Sequence, residues 1–304
     1  MLVPRMTQAE RNAIVSPASG LIMFQTDNTA GFYYNSGTPG APVWMPVGST
    51  SGWGTTGNSG LTTGVNFLGT TDNVVLTFKV NNQLAGKVET FNTALGLNAL
   101  YANSTGSGNI AIGTGALYNN TVRGNLVAVG DSALFNNNAI SGAVQGRMNT
   151  ALGSKALFTN TTGSSNVASG FKTLFFNTTG YGNTAIGNLS LFTNSIGHGN
   201  TAGGCNSLVN NTTGNGNTAL GYSTLGTSNS GNYNVGAGWY ALGSSNGNYN
   251  IASGYMALMN NTTGSSNVAV GASALFSNTE RTNLVAVGDS AMYSNVWGLQ
   301  NTAI

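Results

Sequence analysis

The chain has 304 residues, a net charge of +2 and only 5% charged residues, against about 25% in typical soluble domains. Its 9 basic residues are scattered, which excludes a nucleic-acid or anionic-membrane surface built on clustered Lys and Arg. The single cysteine, Cys205, excludes an intrachain disulfide, and no apolar run approaches the roughly 20 residues that a membrane helix needs.

Residues 1–50 are not repetitive and predict a small β module. A short helix is expected over 7–14, with Thr7 as its N-cap and Glu10 as the partner in a capping box. Turn residues then separate three strand-like stretches at 21–26, 31–35 and 43–47, which predicts a β-meander. Residues 51–90 follow as a connector, with strands expected at 74–80 and near 85–89.

Residues 91–304 repeat with a period of seventeen, counted from the glycine that closes each NTAxG-type motif. One step is six residues longer and one is a residue shorter. These anchor glycines are Gly96, Gly113, Gly130, Gly153, Gly170, Gly187, Gly204, Gly221, Gly238, Gly254, Gly271 and Gly288. A fixed period of this kind is typical of a solenoid, in which successive turns stack and bury one another's apolar faces.

Each repeat carries the same residue types in the same places. A small residue stands two positions before the anchor, and an aromatic residue often follows the repeat leucine. The leucines, four residues after the anchor, are Leu100, Leu117, Leu134, Leu157, Leu174, Leu191, Leu208, Leu225, Leu242, Leu258 and Leu275. Seven residues after the anchor, an asparagine column includes Asn103, Asn120, Asn160 and Asn177.

Glycine and Asn-Thr-Thr interrupt any helical stripe, so the repeats predict an all-β parallel solenoid of about a dozen turns, with two short strands per turn. Asparagines stacked at about 4.8 Å would bond along the axis. Ordering one turn costs about 25 kcal/mol, more than its few large apolar side chains can offset at about 1.5–3 kcal/mol each. The Leu-aromatic pairs would place one residue in the coil and one against a neighbour, which favours a homotrimer.

The Asn-Thr-Ala-Ile-Gly of 183–187 resembles the repeat of the YadA-like head in trimeric autotransporter adhesins. The seventeen-residue form with Asn-Thr-Thr-Gly, as at 177–180, is similar to repeats of exported Bacteroidetes proteins and of phage tail-fibre-like proteins. The resemblance implies a left-handed β-roll that assembles as an intertwined trimer. Because 301–304 begin another motif, we expect the repeat to continue, with a signal peptide or anchor outside this segment.

The chemistry-bearing residues do not predict an enzyme or a cofactor. Asp131 and Asp289 hold the same repeat position many turns apart, too far for a catalytic carboxylate pair. His198 has no Cys or acid nearby that would make a triad or a metal site, and an exposed corner position is the simpler interpretation.

Two surface features are candidate sites. Ser132 and Ser290, each in Asp-Ser-Ala, resemble acceptors of Bacteroidetes O-glycosylation. Trp239 and Tyr240, with three nearby tyrosines, form the densest aromatic cluster and predict either a sugar contact or interchain packing, of which packing is favoured.

The leading hypothesis is therefore a non-enzymatic extracellular fibre or adhesin segment on a cell surface or a phage-like particle. Its partners would be sister chains and, beyond them, host or environmental glycans or surface proteins. One alternative is the receptor-binding tail fibre of a phage or contractile injection system. Another is an ice- or glycan-binding solenoid, although Ile110 and Val167 break the threonine column that ice binding needs.

Overall fold

The computed structural model describes residues 3–47, 67–138, 145–228 and 230–304. The chain divides into two compact units, Met1–Gly69 and Thr70–Ile304. The domain boundaries expected at residues 50 and 90 stay predictions. The six-residue insertion of the repeat falls within 139–144, outside the described residues.

In the described residues of the first unit, four strands form one sheet and a single short helix is present. Its elements are β1 (Arg5–Met6), α1 (Gln8–Asn12), β2 (Ile22–Gln25), β3 (Gly31–Asn35) and β4 (Trp44–Pro46). The sheet order is β1-β2-β3-β4, in which β1 runs parallel to β2 and the other pairs are antiparallel. The predicted meander is confirmed, and β1 is an additional edge strand.

The predicted capping box holds the start of α1. Thr7 Oγ1 accepts a hydrogen bond from the Glu10 backbone N–H at 3.3 Å, and Glu10 Oε2 accepts one from the Thr7 N–H at 2.7 Å. On one side of the sheet, Arg11 is buried and donates to Gln25 Oε1 at 2.6 Å. Its guanidinium also lies 4.9 Å from the Tyr33 ring, so this charge is both hydrogen-bonded and stacked.

The second unit begins with the hairpin β5 (Leu76–Val80) and β6 (Gln83–Val88), which joins the edge of a 15-stranded sheet. One strand of the remaining stack comes from each repeat. These strands are β7 Asn92–Leu95, β8 Asn109–Ile112, β9 Val127–Val129, β10 Thr150–Leu152, β11 Val167–Ser169, β12 Thr184–Ile186, β13 Thr201–Gly203, β14 Thr218–Leu220, β15 Val235–Ala237, β16 Ile251–Ser253, β17 Val268–Val270, β18 Val285–Val287 and β19 Thr302–Ala303.

Strands β7–β19 are parallel, and each residue pairs with its equivalent in the next repeat. Thr184 pairs with Thr201, and Ala185 pairs with Ala202. The alanines point into the coil and are buried, as is the whole leucine column from Leu100 to Leu275. The parallel β-solenoid with seventeen-residue spacing is thereby confirmed.

The expectation of two strands per turn is wrong for the described coils. The leucine column lies in the left-handed region, with φ between 49° and 53°. The residue two places earlier also has positive φ in most coils, as at Leu189, so the Leu-bearing segment is a chain of turns rather than a strand. It still bonds from coil to coil, since the Leu191 N–H donates to the Ser207 carbonyl at 3.0 Å. Burial and these bonds offset a left-handed strain of about 1–2 kcal/mol per leucine.

The anchor glycines are required for two reasons. Their φ values of 123–140° lie in a region that side-chain-bearing residues rarely adopt. In addition, a Cβ on Gly187 would lie 2.6 Å from the Gly204 carbonyl oxygen of the next coil. The glycine therefore allows consecutive coils to approach at strand spacing at the corner where the chain leaves the sheet.

Candidate assembly surfaces

The outward face of β7–β19 is uncharged and rich in exposed aliphatic side chains. It is formed by the residues three and one before each anchor glycine, which alternate with the buried asparagine and alanine. At these positions the strands carry Thr, Ser, Gly, Ala or aliphatic residues. The exposed aliphatic side chains of this sheet face are Leu95, Ile110, Ile112, Leu152, Val167, Ile186, Leu220, Val235, Ile251, Val270 and Val287.

The charged residues of the coils lie at their corners. Asp131, Asp289, Lys155 and Lys172 follow the anchor glycine by one or two positions. The others lie at the second corner, the turn between the asparagine column and the next strand, and are Arg123, Arg147, Glu280 and Arg281. Because every one of them is displaced from the strands, the sheet face is uncharged along its length. An exposed apolar surface of this size is typical of a protein–protein interface.

The wall opposite the sheet carries a ladder of aromatic rings. Ser190, beside the repeat leucine, donates across the core to the Ala202 carbonyl at 3.2 Å, which places the leucine segment on the wall facing the strands. On the outside of that wall, successive rings stack at centroid distances of 4.9–5.5 Å. The ladder consists of Tyr101, Tyr118, Phe135, Phe158, Phe175 and Phe192.

The ladder stops after Phe192 and resumes with Phe276 and Tyr293, whose rings stack at 4.9 Å. Beside this gap lies the aromatic cluster that the sequence singled out. Trp239 is 52% exposed and contacts Tyr222 at 4.6 Å, while the half-buried Tyr240 contacts both rings. Sequence reasoning missed Tyr222, although it stands one repeat before Trp239 at the same position.

Two asparagine columns run along the inside of the coils, parallel to the axis of the solenoid. In the predicted column, Asn177 Nδ2 donates to Asn160 Oδ1 at 2.8 Å, and Asn120 Nδ2 donates to Asn103 Oδ1 at 3.2 Å. A second column begins the strands, where the Asn200 N–H and Nδ2 both donate to Asn183 Oδ1. Sequence reasoning treated these asparagines only as part of the NTAxG motif, although their seventeen-residue recurrence was the available signal.

The first unit has an apolar face of its own. On the side of the sheet that faces away from Arg11, Phe24 and Phe32 meet edge to face at 5.1 Å. Phe32, Ile22 and Met45 are each more than two-fifths exposed. One side of this small sheet is therefore a packed core and the other is a surface rich in large apolar side chains.

The comparisons with known proteins bear on this unit. Residues 1–63 match the family model of the phage tail like trimerisation region. The searches of curated proteins and of solved structures gave no match. The N-terminal unit is thus similar to a phage-tail-fibre-like trimerisation region. This similarity supports self-association as a homotrimer, and with the β-solenoid it fits a structural fibre and points to a non-enzymatic protein on a phage particle or in an extracellular fibre.

The remaining candidate residues are scattered over the coils. Ser290 is exposed and Ser132 half-buried, each in a left-handed backbone position. His198 stacks on Tyr181 at 4.7 Å, and Cys205 is a half-buried free thiol. Within the described parts of the chain, His, Cys, Asp and Glu form no group that could hold a metal ion, and no helix could span a membrane.

Two carboxyl groups have a perturbed pKa. Hydrogen bonds from the backbone and side chain of Thr7 hold the pKa of Glu10 below its ordinary value. At Glu89 partial burial raises the pKa, but hydrogen bonds from Lys87 and Asn92 and the Lys87 charge outweigh it, and the pKa is lowered. Lys87 Nζ lies 2.6 Å from Glu89 Oε1. Glu89 Oε2 also accepts a hydrogen bond from Asn92 Nδ2 at 2.8 Å, which links the end of the hairpin to the first coil.

Proposed function

We propose that the chain is a segment of a non-enzymatic extracellular fibre in which three copies pack through the sheet face. The observation that carries this is the uncharged face of β7–β19, with its exposed aliphatic side chains, in a chain whose residues 1–63 match a trimerisation region. Thirteen strands of about three residues each give this face a flat area on the order of 600 Å², to which the projecting side chains add further surface. That is close to the about 800 Å² per partner of a standard interface.

The sheet face turns toward the three-fold axis in this arrangement, and the aromatic ladder turns outward. Burying the exposed aliphatic side chains supplies the stabilisation that one thin coil lacks, at about 25 cal/mol for each Å² of apolar surface. This assignment differs from the sequence expectation, which gave the interchain contact to the aromatic residues. The resemblance to YadA-like heads and the left-handed sense of the coil remain part of the proposal.

The test compares two exposed isoleucines of one coil. Ile186 and Ile196 are each 53% exposed, but Ile186 lies on the sheet face and Ile196 lies at the second corner. Ile186→Asp would bury a carboxylate in the trimer and should lower its melting temperature strongly, whereas Ile196→Asp should melt close to the parent trimer, with the oligomeric state followed by light scattering. A monomeric parent chain, or a trimer that tolerates Ile186→Asp, would refute the proposed packing.

We propose adhesion as the role of the fibre, with weak outward contacts strengthened by repetition. The alternative is a receptor-binding tail fibre, with which the match at 1–63 is equally compatible. Immunogold labelling separates the two, because an adhesin decorates producing cells and a tail fibre decorates released particles. Ice binding is a third candidate, which rests on the threonines of the sheet face. If a solution of the protein shows no thermal hysteresis, this candidate is excluded.

Ser132 and Ser290 are the proposed glycan attachment sites. Both follow an aspartate at the same corner of the coil, away from the proposed interface. A sugar there would thus not interfere with trimer packing. Intact-mass measurement on protein from its native host should show hexose-sized additions that disappear in Ser132→Ala/Ser290→Ala, and an unmodified mass would end this assignment.

A further inference from the structure

The interruption of the aromatic ladder forms a groove on the outer wall. At the ladder position, Phe192 is followed by Val209, Gly226, Gly243 and Met259 before rings resume at Phe276. The two glycines remove two consecutive rings and leave a groove of about 290 Å³. This volume is at the lower end of the about 300–1,000 Å³ that small-ligand sites enclose.

The lining of the groove is mixed in character. Tyr240 contributes its ring and is held in place by edge contact with Tyr222 at 5.8 Å. Asn206, Asn210 and Thr227 contribute polar groups. Asn210 and Thr227 donate their own protons to the Gly226 and Gly243 carbonyls, which leaves the side-chain oxygens as acceptors. Asn206 is half-buried, and within the described chain its side-chain amide makes no hydrogen bond. That side chain therefore offers both a donor and an acceptor.

From this lining, we propose that the groove is a carbohydrate site that takes one or two pyranose rings. A pyranose has an apolar C–H face that can lie against the Tyr240 ring, and hydroxyls around its edge that both donate and accept hydrogen bonds. The amides of Asn206 and Asn210 and the Thr227 oxygen match that edge. A phenyl ring would fill the same space but would cover these polar groups without pairing them, at a cost that favours the sugar.

The inference rests on the proposed outward orientation of this wall, because a trimer then displays three copies of the groove. A shallow site with one well-placed ring binds weakly, in the millimolar range. Three sites on one fibre raise the apparent affinity for a surface coated with glycan by about 10²-fold or more. Low affinity at a single site and high avidity on a glycan surface are therefore expected together.

The two glycines allow a simple variant in which aromatic side chains fill the groove. Gly226 and Gly243 lie outside the left-handed region, and the equivalent position in other coils carries Phe158 or Phe175. A Cβ on Gly226 would lie 3.0 Å from the Ser223 carbonyl oxygen and one on Gly243 3.3 Å from the Tyr240 carbonyl oxygen, which small shifts relieve. Gly226→Phe/Gly243→Phe should thus continue the ladder and remove the groove.

The experiment records saturation-transfer NMR of the 304-residue chain with a panel of methyl pyranosides and N-acetylhexosamines. The parent chain should transfer saturation to the C–H face of at least one sugar. Gly226→Phe/Gly243→Phe and Tyr240→Ala should each reduce that signal about tenfold, in line with the loss of one aromatic contact. Tyr249→Ala is the matched control, because it removes an exposed aromatic ring that stacks on Tyr233 in a different column.

Three outcomes overturn the inference. These are the absence of any sugar signal, a signal that survives the filled groove, and a signal that appears only with N-acetylphenylalaninamide, which would indicate a peptide ring instead. Light scattering on the same samples separates the two proposals. A trimer that binds no sugar refutes the groove alone, whereas a monomer whose sugar signal depends on Tyr240 refutes the trimer and leaves the groove in place.

Discussion

Asn183 and Asn194 donate to the same acceptor, the carbonyl oxygen of Gly197, at 2.8 and 3.0 Å. Asn183 directly precedes β12 and Asn194 belongs to the other asparagine column, so this oxygen joins the two columns. Each column also bonds along the axis, and the polar interior therefore forms a network rather than two separate ladders. A thin coil with little room for large apolar side chains can be held together in this way, because most of its buried amide groups are paired.

The network predicts a large effect of removing one buried amide. Asn194→Ala leaves Asn177 Oδ1 without its donor and Asn211 Nδ2 with one acceptor fewer. We expect a loss of about 3 kcal/mol and a melting temperature lower by roughly 6–12 °C, measured at fixed protein concentration. Asn188→Ala, an exposed asparagine of the same repeat, should change it by less than about 2 °C. Equal melting temperatures for the two variants would refute the network.

One break in the network should be repairable. Ser228 replaces the asparagine of the column, and both its Oγ and Asn211 Oδ1 are buried without a hydrogen-bond partner. Ser228→Asn places an amide within reach of Asn211 and should stabilise the fibre by about 1 kcal/mol, or roughly 2–4 °C. The exposed Ser107→Asn serves as the control. A lower melting temperature for Ser228→Asn would mean that the coil is too tight there for an amide.

The anchor glycines should be far less tolerant than other glycines of the repeat. Gly187→Ala is both strained and blocked by the next coil, with an expected cost of about 3 kcal/mol or more. Gly199 also has positive φ, but the nearest atom to a Cβ there would be the Gly216 nitrogen at 4.0 Å, and Asn125 occupies the same column. Gly199→Asn should thus be nearly neutral. Urea titrations followed by circular dichroism give both values, and equal midpoints would contradict the close approach of the coils.

Stability should be insensitive to pH until the solution becomes acidic. The pKa values of Glu10 and Glu89 lie below their ordinary value of 4.5, so the folded chain holds fewer protons on these groups than the unfolded chain. Their contribution is present above pH 4.5 and is lost as the pH falls through the lowered values. Melting temperatures measured from pH 7 to pH 3 should decline only at the acid end. Glu89→Gln should reduce the part of the decline that comes from the hairpin.

Much of the fold could be predicted, because the repeat shows which residues occupy equivalent positions in successive coils. The glycine at Gly187 and its equivalents marked the corner, and Leu191 and its equivalents marked the core. Conformation at the leucine could not be predicted, because a Leu-aromatic pair looks like a strand and left-handed leucine is rare. Burial of the side chain and the coil-to-coil bond from the Leu191 N–H to the Ser207 carbonyl together offset the strain of that conformation.

The candidate sites were less predictable. The sequence drew attention to Trp239 and Tyr240 by aromatic density, but the groove beside Tyr240 depends on Gly226 and Gly243, which have no side chain and therefore no signal of their own. Their role as the floor of a groove is recognised only when the neighbouring coils show that aromatic rings occupy the same position. The sheet face could not be predicted for a similar reason. Ile186 and Ile196 are both isoleucines of one repeat, and only the path of the coil places the first on the strand and the second at a corner.

The sequence by itself determined that identical seventeen-residue units stack in register, because a one-dimensional period leaves each unit only its neighbours to pack against. It also determined that the interior is shared between leucine, alanine and asparagine. The tertiary structure alone decided which surface is flat and uncharged, which wall carries the rings, and that a single carbonyl at Gly197 joins both asparagine columns. Those properties depend on where each coil turns, and the turns are set by contacts between coils rather than by the residues of any one repeat.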